Sequence, residues 1–383
     1  MILELKDLFS KAGSTGYRQY FAPGRVNLIG EHIDYNGGLV MPIAINQGIK
    51  GIFKENPESL IQLKSTTHSN LTLFTAETIP GAYSSEIGWC NYPAGVIQGL
   101  QNDGLKLDGF NLFFDSDLPE GSGLSSSAAI EVLTTFILLT EYGGKIDLPE
   151  IAVLCQKVEN EFIGVKCGIM DQFAVANCKK DHALLLNCNT LQHEHIPFEL
   201  DDYALLVINS KKPRSLIKSA YNERKAESDE ALRVLKSNGV LAEGQYLVDA
   251  TMEAVAGISD DVIRRRARHV VSENLRVKHA ANALRMGDLH TFGRLMTASH
   301  TSMKEDYEVT GLEMDTLAET AQNIDGCLGA RMTGGGFGGC AIALVRKHAI
   351  QSFTDILSRR YEMVTGLQCE IYVSQACDGV RAM

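Results

Sequence analysis

The chain has 383 residues, 45% hydrophobic and 22% charged, and its 36 basic against 47 acidic residues leave a formal net charge of −11. That length gives room for two or three domains with a large core, and the apolar content excludes disorder as the main state. The acidic balance excludes general nucleic-acid binding, which needs a basic footprint; a local anion site built from backbone N–H groups or a metal ion stays open.

Met1 to Gly13 reads as a short amphipathic helix with Lys6, Asp7 and Lys11 among its apolar positions. No long apolar run marks a secretory signal. Val132–Leu139, the most apolar helical stretch, is far too short to span a membrane. A soluble cytoplasmic protein is expected. β-like runs then appear at Leu39–Ala44, Gly48–Phe53, Ile61–Leu63, Leu71–Phe74, Phe110–Phe114, Ala183–Leu186 and Ala204–Ile208. Helical stretches at Trp89–Gln101, Leu124–Tyr142 and Pro149–Phe162 interrupt them, the last ending at the Gly164–Gly168 break. Beyond about residue 212 helical periodicity dominates, over Ser215–Leu235, Asp261–Met286, Leu289–Met303 and Gly311–Asn323. Strands are predicted at Ala341–Val345 and Cys369–Val373 around a helix at Ala349–Tyr361. This is α+β order, with a mixed first half and a helix-rich second half. We divide it into residues 1–200 and 201–383, the boundary lying within 195–215. No Pro/Gly/Ser linker marks that boundary, so the two parts are expected to pack closely. The nine cysteines form no C-x-x-C pair, which points to reduced thiols rather than a disulfide framework or a zinc site.

Four segments carry chemistry. Pro119-Glu-Gly-Ser-Gly-Leu-Ser-Ser-Ser-Ala-Ala129 follows an apolar strand and precedes a helix. Its glycines let backbone approach a ligand, and the helix N-terminus favours an anion such as phosphate. It lacks the Lys of a P-loop and the second Gly of a nucleophile elbow, and an ordinary Ser-rich helix cap remains the alternative. Gly24-Arg-Val-Asn-Leu-Ile-Gly-Glu-His-Ile-Asp-Tyr-Asn-Gly-Gly38 packs Arg25, Glu31, His32, Asp34 and Asn36 together. So many polar groups argue against a core strand and suit the recognition of vicinal hydroxyls. Thr333-Gly-Gly-Gly-Phe-Gly-Gly-Cys340 contains G-x-G-x-x-G but runs into a β-like segment, so the dinucleotide reading fails. A backbone wall against a ligand or a neighbouring loop is expected there. In Gly168-Ile-Met-Asp-Gln-Phe173 an acidic residue sits among apolar ones and needs a partner or a role.

Together these segments resemble, in order and approximate spacing, the GHMP small-molecule kinases. Gly24–Asn36, Gly168–Phe173 and Arg331-Met-Thr-Gly-Gly-Gly-Phe-Gly-Gly-Cys340 look like the signatures of the galactokinase branch, with Ile33 standing where that branch usually carries Thr. The resemblance implies a two-domain α+β fold, mixed sheet plus helices in each domain, with the active site in the interdomain cleft. It implies ATP-dependent phosphorylation of the 1-hydroxyl of D-galactose, the first committed step of its catabolism, by a monomer using Mg2+ and engaging neither nucleic acid nor membrane. Asp171 then matches the proton acceptor and Arg25 the arginine beside it. Glu31, His32, Ile33, Asp34, Gly168 and Tyr221 join Asp171 as sugar-binding positions. Gly121, Ser122, Gly123, Leu124, Ser125, Ser126 and Ser127 match the ATP phosphate loop. Ser65, Trp89 and Tyr92 match positions near the nucleotide, and Ser127 with Glu159 the Mg2+ ligands. Paired with Arg25, Asp171 is expected to act by orientation and electrostatics as much as by taking a proton.

Other features have plainer readings. Arg264-Arg265-Arg266 with Arg268 reads as a solvated helix face beside Asp260 and Asp261, and His193-Glu194-His195 as exposed strand lacking a third metal ligand. Two rival functions fit the same motifs. A kinase of N-acetylgalactosamine or arabinose would differ in space around the sugar's 2-position. A silent galactose/ATP sensor of the same family would carry lesions in the Ser-rich loop, which is intact here.

Overall fold

A computed structural model describes residues 2–68, 72–75, 77–119, 121–213 and 217–383. Met1, Leu71, Glu120 and residues 215–216, which fall in elements assigned above, lie outside the described residues. The strands are β1 Arg18–Asn27, β2 Leu39–Val40, β3 Pro42–Glu55, β4 Leu60–Ser65, β5 Thr72–Thr75, β6 Phe110–Ser116, β7 His182–Asn187, β8 His193–Pro197, β9 Tyr203–Asn209, β10 Cys327–Thr333, β11 Cys340–Arg346, β12 Glu370–Ser374 and β13 Arg381–Ala382. They form a six-stranded sheet in the order β13-β1-β3-β6-β4-β5, a four-stranded sheet β10-β11-β9-β12 and a three-stranded sheet β2-β7-β8. The large sheet is mixed, because β4 runs parallel to β6 while its other pairs are antiparallel. This is the expected α+β class.

The hydrophobic pattern explains the layers. β9 is buried along its whole length and β11 along all but its last residue, so both read as continuous apolar runs rather than alternating ones. The Ser126–Glu141 helix is apolar nearly all round because it is sandwiched between β1 and β3 on one side and neighbouring helices on the other. One apolar cluster runs from Tyr20 in β1 through β9 and β11 to Val380, so the two halves share a core. The chain's end returns to its beginning: Tyr20 and Phe21 pair with Ala382 and Arg381.

Two expectations are overturned. By composition the Gly24–Gly38 segment is unfit for a core strand, yet its first residues complete β1, where Arg25 and Asn27 are buried. The cost of burial is met by partners from distant segments, which composition does not show. In the arginine cluster Arg268 is exposed and Arg264 and Arg265 lie half-buried beside Asp261, as on the expected solvated face, but Arg266 is not. Arg266 is 1% exposed and donates to Glu227 (2.7 Å), Glu308 (2.6 Å) and the Asp306 carbonyl (2.7 Å). It faces the Ile217–Ser237 helix and the Met303–Tyr307 turn, where these three acceptors converge.

Candidate active site

A cavity of about 480 Å³ opens where the two halves meet, lined from the first half by Arg25, Glu31, His32, Asp34, Gly121, Gly123, Ser125–Ser127, Glu159, Gly168 and Asp171, and from the second by Tyr221, Asn222, Gly334 and Gly335. β1 carries Arg25 into its floor. A bulge between Pro23 and Arg25 turns the strand there. A side chain at Gly24 would stand 2.7 Å from the Leu124 carbonyl, so only glycine lets the Gly/Ser loop cross so close. The crossing is fastened by the Arg25 N–H to Leu124 O (3.1 Å) and the Arg25 Nη1 to Gly123 O (2.7 Å).

Arg25 also grips Asp171 with two parallel bonds, Nε to Oδ1 (2.8 Å) and Nη2 to Oδ2 (2.6 Å). This fork geometry fixes the plane of the carboxylate as well as neutralising it. Ser125 Oγ donates a third bond to Oδ2 at 2.6 Å. Asp171 stands in the first turn of the Met170–Asn177 helix.

The polar wall beside this pair is largely self-satisfied. Glu31 is 1% exposed and is held by Arg331 Nη2 (2.9 Å), the Gly334 N–H (2.6 Å) and the Asn27 amide. Burial raises its pKa, against the pull of Arg331. His32 places Nε2 3.2 Å from the Gly335 carbonyl and Nδ1 2.7 Å from the Tyr35 hydroxyl. A carbonyl only accepts, so Nε2 carries the proton and Nδ1 accepts from Tyr35, an assignment made from the partners. Burial first, then the field of His269, pushes His32 down to about 3, so the ring is neutral. Asp34 is pushed up to about 7 by burial and then by the Asp171 charge. A side chain on Gly168 would overlap Asp34 Oδ2 at 2.0 Å, so any larger residue there would displace that carboxylate. Tyr221 comes from the Ile217–Ser237 helix, its ring tilted against His32 with centroids 5.4 Å apart.

At the other end stands the N-terminus of the Ser126–Glu141 helix, whose first N–H groups have no partners within the helix. Glu159 lies in a π turn, Val158–Ile163, that ends the preceding helix at Gly164. Burial and then Asp171 push Glu159 up to about 7, while the neighbouring Ser127 hydroxyl pulls the other way. A buried carboxylate so disfavoured as an anion, beside a hydroxyl, is an oxygen pair suited to Mg2+. A smaller cleft of about 150 Å³ continues from Ser126 and Ser127, lined by Ser65, His68, Trp89, Tyr92, Phe114 and Ile130 among others. His68 stacks on Trp89 at 5.9 Å and 16°.

Three positions assigned from the sequence do not reach either cavity. Ile33 is fully buried and packs against Gly38, Leu124 is 3% exposed, and Ser122 is 3% exposed with its N–H on Pro119 O. The apolar side chains of Ile33 and Leu124 turn into the core instead. Gly334 and Gly335, from the segment expected to form a backbone wall, line the large cavity, and residues without a sequence assignment contribute too: Asn222 lines the large cavity, Thr67 and His68 the small one, and Arg331 stands behind Glu31. Arg331 sits inside a quoted motif, and only its fold-dependent partner was missing.

Models of known families match three parts of the chain: the galactokinase galactose-binding signature over residues 6–54, the GHMP kinase N-terminal domain over 91–179 and the GHMP kinase C-terminal domain over 280–362. A mevalonate kinase structure shares the fold at TM-score 0.68 and 21% identity, covering 94% of this chain and 99% of that one. Fold and cavity thus define a small-molecule kinase of the GHMP class. A galactokinase from Fusobacterium nucleatum is 41% identical over 382 residues, covering 99% of this chain and 98% of its own. The Lactococcus lactis galactokinase solved with galactose superposes at TM-score 0.93 with 40% identity over the full length of both chains. The chain belongs to the galactokinase family.

Proposed function

We infer that this protein is an enzyme that transfers the γ-phosphoryl group of ATP to the 1-hydroxyl of D-galactose, giving galactose 1-phosphate and ADP. The observation that carries this reading is the Arg25–Asp171 pair at the floor of a cavity that also contains a helix N-terminus. Phosphoryl transfer has a loose transition state, so catalysis rests on positioning and charge neutralisation. In this reading the sugar lies against Glu31, His32, Asp34, Gly168 and Tyr221 with its 1-hydroxyl at Asp171. The O–P bond forms as the γ-phosphorus leaves ADP, and Asp171 is the acceptor within reach of the hydroxyl proton. Arg25 holds that carboxylate and faces the transferring group. The Gly121–Ser127 loop offers N–H groups to the phosphates, and Trp89, Tyr92 and Ser65 border the base. Ser127 and Glu159 would hold Mg2+, which when bound neutralises charge on the phosphates. His32, with both ring nitrogens committed, shapes the wall and braces Gly335.

We read residues 1–200 and 201–383 as two lobes flanking this cleft, with β13 returning to the first. Among the described residues no helix is long and apolar enough to cross a membrane. Cys90, Cys155, Cys178 and Cys188 are free thiols, which suits the reducing cytoplasm, and we propose a monomer, checked by light scattering. The decisive experiment mixes purified protein with ATP, Mg2+ and a panel of galactose, N-acetylgalactosamine and arabinose, following ADP release and identifying product by 31P NMR. Galactose 1-phosphate should dominate. No turnover, or faster turnover of another sugar, would sink the assignment.

A further inference from the structure

Ser125 breaks two local rules at once. Its backbone lies in the left-handed region (φ 65°, ψ 43°), which costs energy for any residue with a Cβ. It occupies the N-cap of the Ser126–Glu141 helix, yet its hydroxyl makes no capping bond to the first turn, the bond for which serine is favoured there. The hydroxyl instead reaches 2.6 Å to Oδ2 of Asp171, the oxygen that Arg25 Nη2 also grips. The same loop carries glycine at 121 and 123, both at positive φ. Glycine at 125 would adopt this backbone without strain, so what serine adds is the hydroxyl.

We propose that Ser125 is a positioning residue for Asp171, acting through that carboxylate rather than as a ligand of the nucleotide. With Arg25 it makes a three-bond clamp: Arg25 fixes the plane of the carboxylate, and Ser125 orients Oδ2. Because Ser125 belongs to the loop that Arg25 ties down through Gly123 O and Leu124 O, the clamp also sets the distance between the loop and the acceptor oxygen. The inference rests on Asp171 being the proton acceptor.

The test uses Ser125→Gly, Ser125→Ala and each combined with Asp171→Asn, measuring kcat, the KM of both substrates, and thermal stability. Ser125→Gly relieves the backbone strain, so its melting temperature should equal or exceed wild type. Both single variants should lose about ten- to a hundredfold in kcat, the range for a hydrogen bond to a charged group, with both KM values within about threefold of wild type. In the Asp171→Asn background the Ser125 substitutions should cost almost nothing further, since the two residues act as a unit. Unchanged kcat in Ser125→Gly and Ser125→Ala, a loss confined to the KM for ATP, or full additivity with Asp171→Asn would each overturn the proposal. If Asp171→Asn itself keeps wild-type turnover, the mechanism fails along with it. If Asp171→Asn is inactive while the Ser125 variants are not, only the role of Ser125 fails.

Discussion

At the end of the cavity proposed for the sugar, Arg25 meets Asp171 across 146 residues of sequence and Glu31 meets the Gly334 N–H across 303. At the end proposed for the nucleotide the working parts are a loop, the helix it opens, and an aromatic cleft beside them. The first end is charged and already bonded to itself. The second leaves N–H groups and ring faces for a ligand to satisfy. An ion-paired wall holds its geometry before any substrate arrives, which suits the end where a hydroxyl must be aimed. The loop end gains its partners only on binding. Damage to the first end should therefore appear in turnover and folding, and damage to the second in nucleotide affinity.

The largest expected effect tests the aimed end directly. Asp171→Asn keeps the shape of the carboxylate but removes its charge and proton affinity, and should lower kcat by on the order of 10²–10⁴ in a coupled ADP assay, with the galactose KM little changed. Wild-type turnover would dissolve the contrast. Next comes folding. Arg331→Met leaves Glu31 buried without its cation, and should cost roughly 3–5 kcal/mol in urea unfolding. Adding Glu31→Gln in the same chain should recover part of that loss, because the orphaned charge is gone. An unchanged unfolding midpoint in Arg331→Met would mean the wall is not held by this pair.

At the loop end, Trp89→Ala should raise the KM for ATP about tenfold by removing a stacking face, with kcat nearly intact. A fall in kcat instead would place Trp89 in the aimed end. The smallest effect is a pH signature. Asp34 titrates in the folded chain at about 7, above its unfolded value near 4, so the folded state holds a proton that the unfolded chain releases. Its contribution to stability is full below the unfolded value and lost as pH rises through about 7. Ligand-free Asp34→Asn should therefore gain on wild type by about a few degrees in melting temperature between about pH 5 and pH 8. A difference independent of pH would show that Asp34 is not buried against Asp171.

Much of this protein was legible in one dimension. The helices at 91–102, 126–141, 261–285 and 350–365 follow from apolar periodicity, and the Gly/Ser loop, the acidic cluster at 31–34 and the lone carboxylate of Asp171 announce themselves by composition, since each is a local property of consecutive residues. What the fold alone decided is which partner each polar group receives. Arg25 and Glu31 looked unfit for burial because Asp171, Arg331 and Gly334 lie far away along the chain. Arg266 looked solvated because its acceptors sit on the Ile217–Ser237 helix and near a π turn about forty residues on. Ser125 looked like a cap until its hydroxyl found Asp171. Burial of a charge depends on the free energy of a pair, and pairs between distant segments form only when the core brings those segments together.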